Sequence, residues 1–302
     1  MISLRQHVTS LVAVFLALAV GIALGGGLLG GSDDDDKGGE SPASTSETSP
    51  QSAGTDSYAD AFAAAGAARL YANGLDGHAT VILAMPGADP AHVKALNEQV
   101  IAAGGAITGT FTAGEALLDP GQKTQIDTLG SQLATQLVDP RIDPAATTYD
   151  RMGALMALAM ATDQVSSVRA DIAAVTIRQA LSDGELLDSP ADVRNAPLIL
   201  VVLPEGSEGG SDGLATQTIL SGLVNGLASN AAGVVVAGDS DSTDGGELAA
   251  LRASEIVGAV STVDGIETTI GQVTTILALM QVLSGTGGSY GASGSDGPVP
   301  LG

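Results

Sequence analysis

LILVVL, residues Leu198 to Leu203, is an unbroken apolar run, and it indicates the class of fold more clearly than any other segment. VVVA, from Val234 to Ala237, and ATVILAM, from Ala79 to Met85, repeat the pattern. Strict alternation is typical of a strand with one face in water, whereas continuous apolar runs are typical of strands covered on both faces. The sequence therefore predicts a mostly parallel sheet with helices on both sides.

Helical segments separate these runs. Asp89-Pro90 supplies an N-cap and a first-turn proline. The helix that follows is expected to turn four apolar residues inward, namely Val93, Leu96, Val100 and Ile101. The order of helix and strand then continues with AITGTF (106–111), a helix from Asp212 to Ala228, VSTV (260–263) and a helix from Glu267 to Leu283. This alternation predicts a doubly wound α/β sheet.

Further helices are expected before the first strand and in the middle of the chain. The first runs from Tyr58 to Ala72, with Asp56 or Ser57 as its cap. Two others begin at Asp119-Pro120 and Asp143-Pro144, and a third is expected to bury Val168, Ile172, Val175 and Leu181.

An apolar run from Leu11 to Leu29 predicts a membrane anchor. No residue from Val8 to Leu29 is charged, and as a helix this stretch is about 33 Å long, enough to cross a hydrocarbon core of roughly 30 Å. Because Arg5 precedes the run and Asp33 to Asp36 follow it, we expect a cytoplasmic N-terminus and an exported C-terminal part. A signal-peptidase site at Ala17-Leu18-Ala19 is the alternative, but the run continues well beyond it, which favours an uncleaved anchor.

The predicted organisation has four parts, and the predicted fold class is α/β. A cytoplasmic stub and single transmembrane helix (residues 1–30) precede a disordered acidic Gly/Ser linker (31–57), a doubly wound, mostly parallel ectodomain (58–284) and a flexible tail (285–302). Gly-x-x-x-Gly pairs such as Gly21 and Gly25 either bring two helices together or simply end the helix, and both interpretations stay open.

Charge and composition exclude several classes of protein. The formal net charge is −23, with 34 Asp and Glu against 11 Lys and Arg, so a nucleic acid would be repelled. The chain has no cysteine, which excludes disulfides and thiolate metal sites and leaves only methionine for soft-ligand chemistry.

Three acidic loops are expected at the carboxyl ends of strands, where open parallel sheets bind ligands. They offer Asp89, Glu205, Glu208, Asp212, Asp239, Asp241 and Asp244. If these carboxylates converge they could hold a hard cation, and Asp239, Asp241 and Asp244 are the strongest candidates. The alternative is that these residues cap helices, with Asp244 and Glu247 forming a capping box.

The sequence contains only incomplete matches to known catalytic and ligand-binding motifs, so no enzyme is predicted. Gly238-Asp239-Ser240-Asp241 follows a strand like a nucleophile elbow, but Ser242 stands where glycine is required. A calcium loop starting at Asp239 fails because Ala250 occupies the position of the bidentate ligand. Neither a Walker lysine nor a dinucleotide-binding Gly-x-Gly-x-x-Gly after a strand is present.

Met152, Met156 and Met160 recur at every fourth residue, which places three thioethers in one row on a helix. Thioethers suit Cu(I). A row of methionines on an apolar helix is more often core packing, and that is the favoured interpretation here.

Several segments together resemble one known family. They are MISLRQHVTSLVAVFLALAVGIALG at the N-terminus, VILAMPGAD, ATQLVD, and STVDGIETTIGQVTTILALMQVLSG followed by GGSYG. These stretches, in this order, resemble the mycobacterial copper transport protein B family, MctB. The resemblance implies a single-pass cell-envelope protein of copper homeostasis, described for the family as a pore-forming efflux component of the outer membrane.

The resemblance also sets the expected partners. Copper is implied as the transported or bound ion, with no resident cofactor identified. A pore would require several copies to associate, so a homo-oligomer is a second expected partner. This chain departs from the family where an acidic linker from Gly30 replaces the usual coiled-coil-like segment. The alternative function is a non-catalytic envelope scaffold or binding module that affects copper only indirectly.

Overall fold

The computed structural model describes residues 50–206, 211–254 and 259–301. The expected anchor from Leu11 to Leu29 lies outside these residues, as do Glu208 and most of the expected linker. Among the helices that are described, none combines the length and apolar character needed to span a membrane.

The described elements alternate as predicted. The helices are α1 (Pro50–Tyr71), α2 (Pro90–Ala102), α3 (Glu115–Leu118), α4 (Lys123–Leu137), α5 (Thr148–Met160), α6 (Ile172–Asp183), α7 (Ser211–Ala228), α8 (Glu247–Ala253) and α9 (Thr269–Val282). The strands are β1 (Ala79–Ala84), β2 (Ala106–Ala113), β3 (Val168–Arg169), β4 (Leu187–Asp188), β5 (Arg194–Asn195), β6 (Leu198–Val202), β7 (Gly233–Ala237), β8 (Val260–Val263) and β9 (Gly288–Tyr290).

One seven-stranded sheet organises the domain, in the order β4-β2-β1-β6-β7-β8-β9. The pairs from β2 to β9 are parallel, and β4 is antiparallel to β2 at one edge. The chain moves outward in one direction from β1 to β2 and in the opposite direction from β6. The carboxyl ends of β1 and β6 therefore form the topological switch point, where doubly wound sheets bind ligands.

Two hydrophobic cores cover the two faces of the sheet. Along β6, Ile199 and Val201 face the core built with α4, α5, α6, α7 and α8, whereas Leu198, Leu200 and Val202 face the core built with α1, α2 and α9. Every residue of β1, β6 and β7 is buried. The prediction from the continuous apolar runs is thus confirmed, because both faces of each central strand are covered.

Glycines bring α5 and α7 into backbone contact. A Cβ atom added at Gly226 would lie 2.1 Å from the Asp150 carbonyl oxygen, and one added at Gly153 would lie 2.2 Å from the Leu223 carbonyl oxygen. A Cβ at Gly222 would lie 2.8 Å from that of Tyr149. Only glycine permits this approach, which seats α5 deep in its core with all but its first and third residues buried.

The capping prediction for α2 is confirmed, and one inward residue is wrong. Asp89 accepts a hydrogen bond from the Ala91 amide at 2.7 Å. Leu96 and Val100 are buried as predicted, but Ile101 is 59% exposed. Only Leu96 and Val100 of this helix are buried, so its buried stripe is narrow.

Several predicted helix starts are wrong. α1 begins at Pro50, so Asp56 and Ser57 lie inside it and not at its cap. α5 begins after its N-cap Thr147, because the Asp143 carboxylate accepts from the Ala145 amide in a local turn and does not cap a helix. α8 begins after Gly246 without a side-chain cap, so the capping box predicted for Asp244 and Glu247 does not form.

The helix expected to begin near Val168 is also corrected. Val168 lies in β3, and Asp171 caps α6 by accepting from the Ala174 amide at 2.8 Å. Ile172 is 87% exposed and Val175 is 54% exposed. The buried face of α6 consists of Ala174, Ile177, Arg178 and Leu181.

The segment expected as a loose tail contains a strand. β9 pairs with β8, with Val263 opposite Tyr290. Asp264, at the end of β8, accepts from the Ala292 and Ser293 amides at 2.6 and 3.1 Å. Arg252 pairs with Asp264 at 3.0 Å and donates to the Tyr290 carbonyl at 2.7 Å. A buried carboxylate and an arginine thus fasten this segment to the sheet.

Candidate functional site

A crevice of about 340 Å³ opens at the carboxyl edge of the sheet, beside the switch point. Its lining residues are His92, Glu205, Gly206, Asp239, Ser240, Asp241 and Glu267. They come from the first turn of α2 and from the segments that follow β6, β7 and β8. The topology therefore brings loops that are distant in sequence to one polar site, as the strand order predicts.

Asp239 holds two of these loops together. Its Oδ2 accepts from the Gly206 amide at 2.9 Å and its Oδ1 accepts from the Ser242 amide at 2.9 Å. The hydroxyl of Ser242 donates to the Asp239 carbonyl at 2.6 Å. These bonds occupy both carboxylate oxygens of Asp239, and they position the β6 and β7 loops relative to each other.

Glu267 forms a second connection across the crevice. Both of its carboxylate oxygens lie within hydrogen-bonding reach of the Ser240 amide, at 3.4 and 3.3 Å, and its Oε1 accepts from the Ser240 hydroxyl. The sequence pattern places Glu267 at the start of a helix and does not indicate this role. Its position in the sequence could have indicated the role. Glu267 follows the carboxyl end of β8 by a few residues, and the loop after β8 lies at the same edge of the sheet as the three predicted acidic loops.

The predicted acidic residues only partly meet here. Glu205, Asp239 and Asp241 line the crevice, whereas Asp89 caps α2 and Asp244 lies beyond the 3₁₀ turn Asp241–Thr243. Among residues 50–206, 211–254 and 259–301, the His, Asp and Glu side chains form no group of three or more that could hold a metal ion. Metal binding by Asp239, Asp241 and Asp244 stays a prediction.

The three methionines of α5 are buried in the larger core. Met152 and Met160 are 0% exposed and Met156 is 1% exposed, and all three belong to the apolar cluster with β1, β6 and β7. The favoured interpretation of the row as core packing is confirmed. A role of these thioethers in binding copper stays a prediction.

A larger cleft of about 810 Å³ lies between α4, α5 and α7. Arg151 stands in its wall, pairs with Asp127 at 2.6 Å and donates to the carbonyl oxygens of Pro144 and Ala146. Tyr149 lines the same cleft, and burial raises the pKa of its hydroxyl, with the negative charge of Asp119 acting in the same direction. These contacts fix the segment before α5 against α4.

The fold and crevice define a doubly wound α/β protein with an acidic switch-point edge. Comparison with known proteins adds the family. The model of the family described as "Copper transport outer membrane protein, MctB" matches residues 1–300, and this chain belongs to that family. The predicted resemblance is confirmed.

Curated relatives carry the same family name. The chain is 28% identical over 313 residues to the protein named "Copper transporter MctB" of Mycobacterium tuberculosis (strain ATCC 25618 / H37Rv), covering 94% of each chain. It is 29% identical over 330 residues to the protein of the same name from Mycobacterium leprae (strain TN), covering 96% of each. The similarity thus extends over nearly the whole length of this chain and of each relative.

Proposed function

We propose that this chain is a membrane-anchored protein of the cell envelope that acts in copper homeostasis and lowers the copper load of the cell. The observation that supports the proposal is family membership across residues 1–300, in a family described by copper transport and the outer membrane. The uncharged run from Val8 to Leu29 supports an anchor with an exported domain. Association of several copies belongs to the same proposal, since a pore would require it.

Copper would be the cargo of this protein and not a resident cofactor. The crevice offers one imidazole, from His92, and the carboxylates of Glu205, Asp241 and Glu267, which are donor types that Cu(II) accepts. The thioethers that would suit Cu(I) lie in the core. Among the described residues these surface donors form no group of three or more that could hold a metal ion, so the titration below decides whether the chain binds copper directly.

Two experiments test the proposal. A deletion strain is expected to grow less well at raised copper and to accumulate more cell-associated copper, and the full chain is expected to restore both. The purified full chain is titrated with Cu(I) and with Cu(II) by calorimetry. A deletion strain that tolerates copper like its parent would overturn the proposed function.

A scaffold or binding module with an indirect effect on copper is the second candidate function. Two observations favour it: the α5 methionines are at most 1% exposed, and both carboxylate oxygens of Asp239 already accept backbone hydrogen bonds. This candidate predicts a copper phenotype without heat of binding for either ion. Capture of a defined envelope partner by the full chain, lost when that partner is deleted, would support it.

A further inference from the structure

Three arginines line a second cleft, of about 810 Å³, on the side of the domain formed by α6. Arg178 comes from α6, and Arg169 and Arg194 come from the short strands β3 and β5. The opposite wall is the segment of residues 189–193, and Gln179, Ser182 and Ser189 add polar side chains to the lining. This arginine cleft is separate from the crevice at the carboxyl edge of the sheet.

Arg178 is a fixed, buried cation. Its side chain is 8% exposed, and it donates to the Ala159 carbonyl at 2.7 Å, the Val193 carbonyl at 2.9 Å and the Asn195 Oδ1 at 2.8 Å. All three acceptors are neutral. Its guanidinium also lies over the Phe111 ring, 5.5 Å from the centroid. The positive charge is oriented by these contacts but is not neutralised by them, and a buried charge without a counter-charge is costly.

Arg169 and Arg194 stand directly opposite each other. They are register partners in the antiparallel β3–β5 pair. Like charges in that position destabilise a pair of strands unless something screens them. Arg194 donates to the Ser167 carbonyl at 2.6 Å and to the Ser167 hydroxyl at 3.2 Å, so its guanidinium is also held in place.

Most other basic residues of the described domain pair with a carboxylate, but the exposed Arg69 and Lys123 do not. Lys94, Arg141, Arg151 and Arg252 each pair with a carboxylate. In the part of the chain that the structure describes, Arg169, Arg178 and Arg194 form no such ion pair, although Asp192 stands in the wall of their cleft. In a chain of net charge −23, three neighbouring arginines without carboxylate partners indicate a site for an external anion.

We propose that the arginine cleft binds a phosphate-bearing anion. A planar guanidinium donates two parallel hydrogen bonds to a phosphate group, and arginine is favoured over lysine where that geometry matters. The volume of the cleft falls in the range of pockets for small organic ligands, about 300–1,000 Å³. It thus accommodates a phosphate together with the organic group that carries it. The source is either a soluble phosphate ester or a phospholipid headgroup.

Calorimetry on the purified full chain tests the proposal with two probes. Glycerol 3-phosphate represents the soluble ester, and water-soluble dibutyryl phosphatidic acid represents the headgroup. Glycerol is the uncharged control. Binding of either phosphate probe supports the site, and a preference for one of them identifies the source. The absence of binding by both probes would overturn the proposal.

Charge-removing variants locate the binding. Arg169→Gln and Arg194→Gln are each expected to weaken the binding of the phosphate probe by about tenfold, the value of a lost hydrogen bond to a charged group. Arg69→Gln removes an exposed arginine of α1 and is expected to leave the affinity unchanged. Arg194→Lys keeps the charge but loses the planar fork, so it should also bind more weakly.

The denaturation midpoint of each variant is measured alongside, so that a loss of binding in a folded chain is distinguished from unfolding. An equal loss in Arg69→Gln and Arg194→Gln would mean that overall charge, and not this cleft, attracts the anion. That result would overturn the assignment even if the parent chain binds phosphate.

Discussion

Gly226→Ala tests the close approach of α5 and α7. The new methyl carbon would lie 2.1 Å from the Asp150 carbonyl oxygen and 2.7 Å from the Ala154 amide nitrogen. Favourable contacts between heavy atoms lie near 3.5 Å, so the two helices must separate by roughly 1 Å. The obstructing atoms belong to the backbone, which cannot rotate away as a side chain can.

The expected cost follows from two opposing terms. Overpacking of a well-packed core costs about 1–3 kcal/mol, and a clash with backbone on a helix that is buried on almost all sides belongs at the upper end. Alanine recovers up to about 1 kcal/mol through its higher helix propensity. We therefore expect a net loss of about 2 kcal/mol in the free energy of unfolding.

Urea denaturation of the purified chain, followed by circular dichroism, measures this loss. A lower midpoint with an unchanged slope is expected. Gly213→Ala, in the same helix, is the matched control because a Cβ atom there meets nothing within 4 Å, and it should be neutral or slightly stabilising. The reasoning is refuted if Gly226→Ala is as stable as the parent, or if the two alanine variants shift the midpoint alike.

Three further predictions concern other parts of the domain. Met156→Ala truncates a side chain that is 1% exposed, so it should lower the free energy of unfolding by about 2–5 kcal/mol, as measured by urea denaturation. The copper tolerance of the cell should stay intact. A lost copper response at unchanged stability would contradict the core-packing role. Burial raises the pKa of Tyr71 above its ordinary value of 10.0, so its stabilising contribution is present below that pH and is lost as the pH rises toward the folded value. Tyrosinate absorbance should show a late-ionising fraction that Tyr71→Phe reduces but does not abolish, because the pKa of Tyr149 is raised as well. Asp264→Ala leaves the Arg252 guanidinium without its carboxylate and should lower the free energy of unfolding by about 3–5 kcal/mol. Proteolysis of the segment after Gly285 should become faster. Unchanged proteolysis would show that Asp264 does not hold β9 against the sheet.

The central sheet could be predicted because its signal is local and strong. Runs such as Leu198 to Leu203 are apolar on both faces, short and bounded by prolines, which is typical of a strand covered on both sides. The role of Asp89 as an N-cap could also be predicted, because capping depends on a few consecutive residues. The position of the acidic loops at one edge then followed from the direction of the strands.

The short strands could not be predicted, because their partners define them. Gly288-Ser289-Tyr290 has no apolar periodicity of its own and becomes a strand by pairing with β8. The wrong prediction of the buried face of α6 has a different cause. The apolar pattern placed Val175 on that face, whereas the structure exposes Val175 and buries Arg178. A buried arginine held by carbonyl oxygens leaves no signature in hydropathy, and for the same reason the arginine cleft was not foreseen.

The burial of sulfur has a chemical consequence for a protein associated with copper. A metal that cycles between oxidation states generates oxidants, which attack thiolates first and then convert exposed thioethers to sulfoxides. This chain has no cysteine, and Met85, Met152, Met156 and Met160 are all at most 2% exposed. Met280 is only partly buried and is the described sulfur atom most open to oxidation. Burial therefore protects the sulfur atoms of these four methionines from oxidation when a redox-active ion is near the domain.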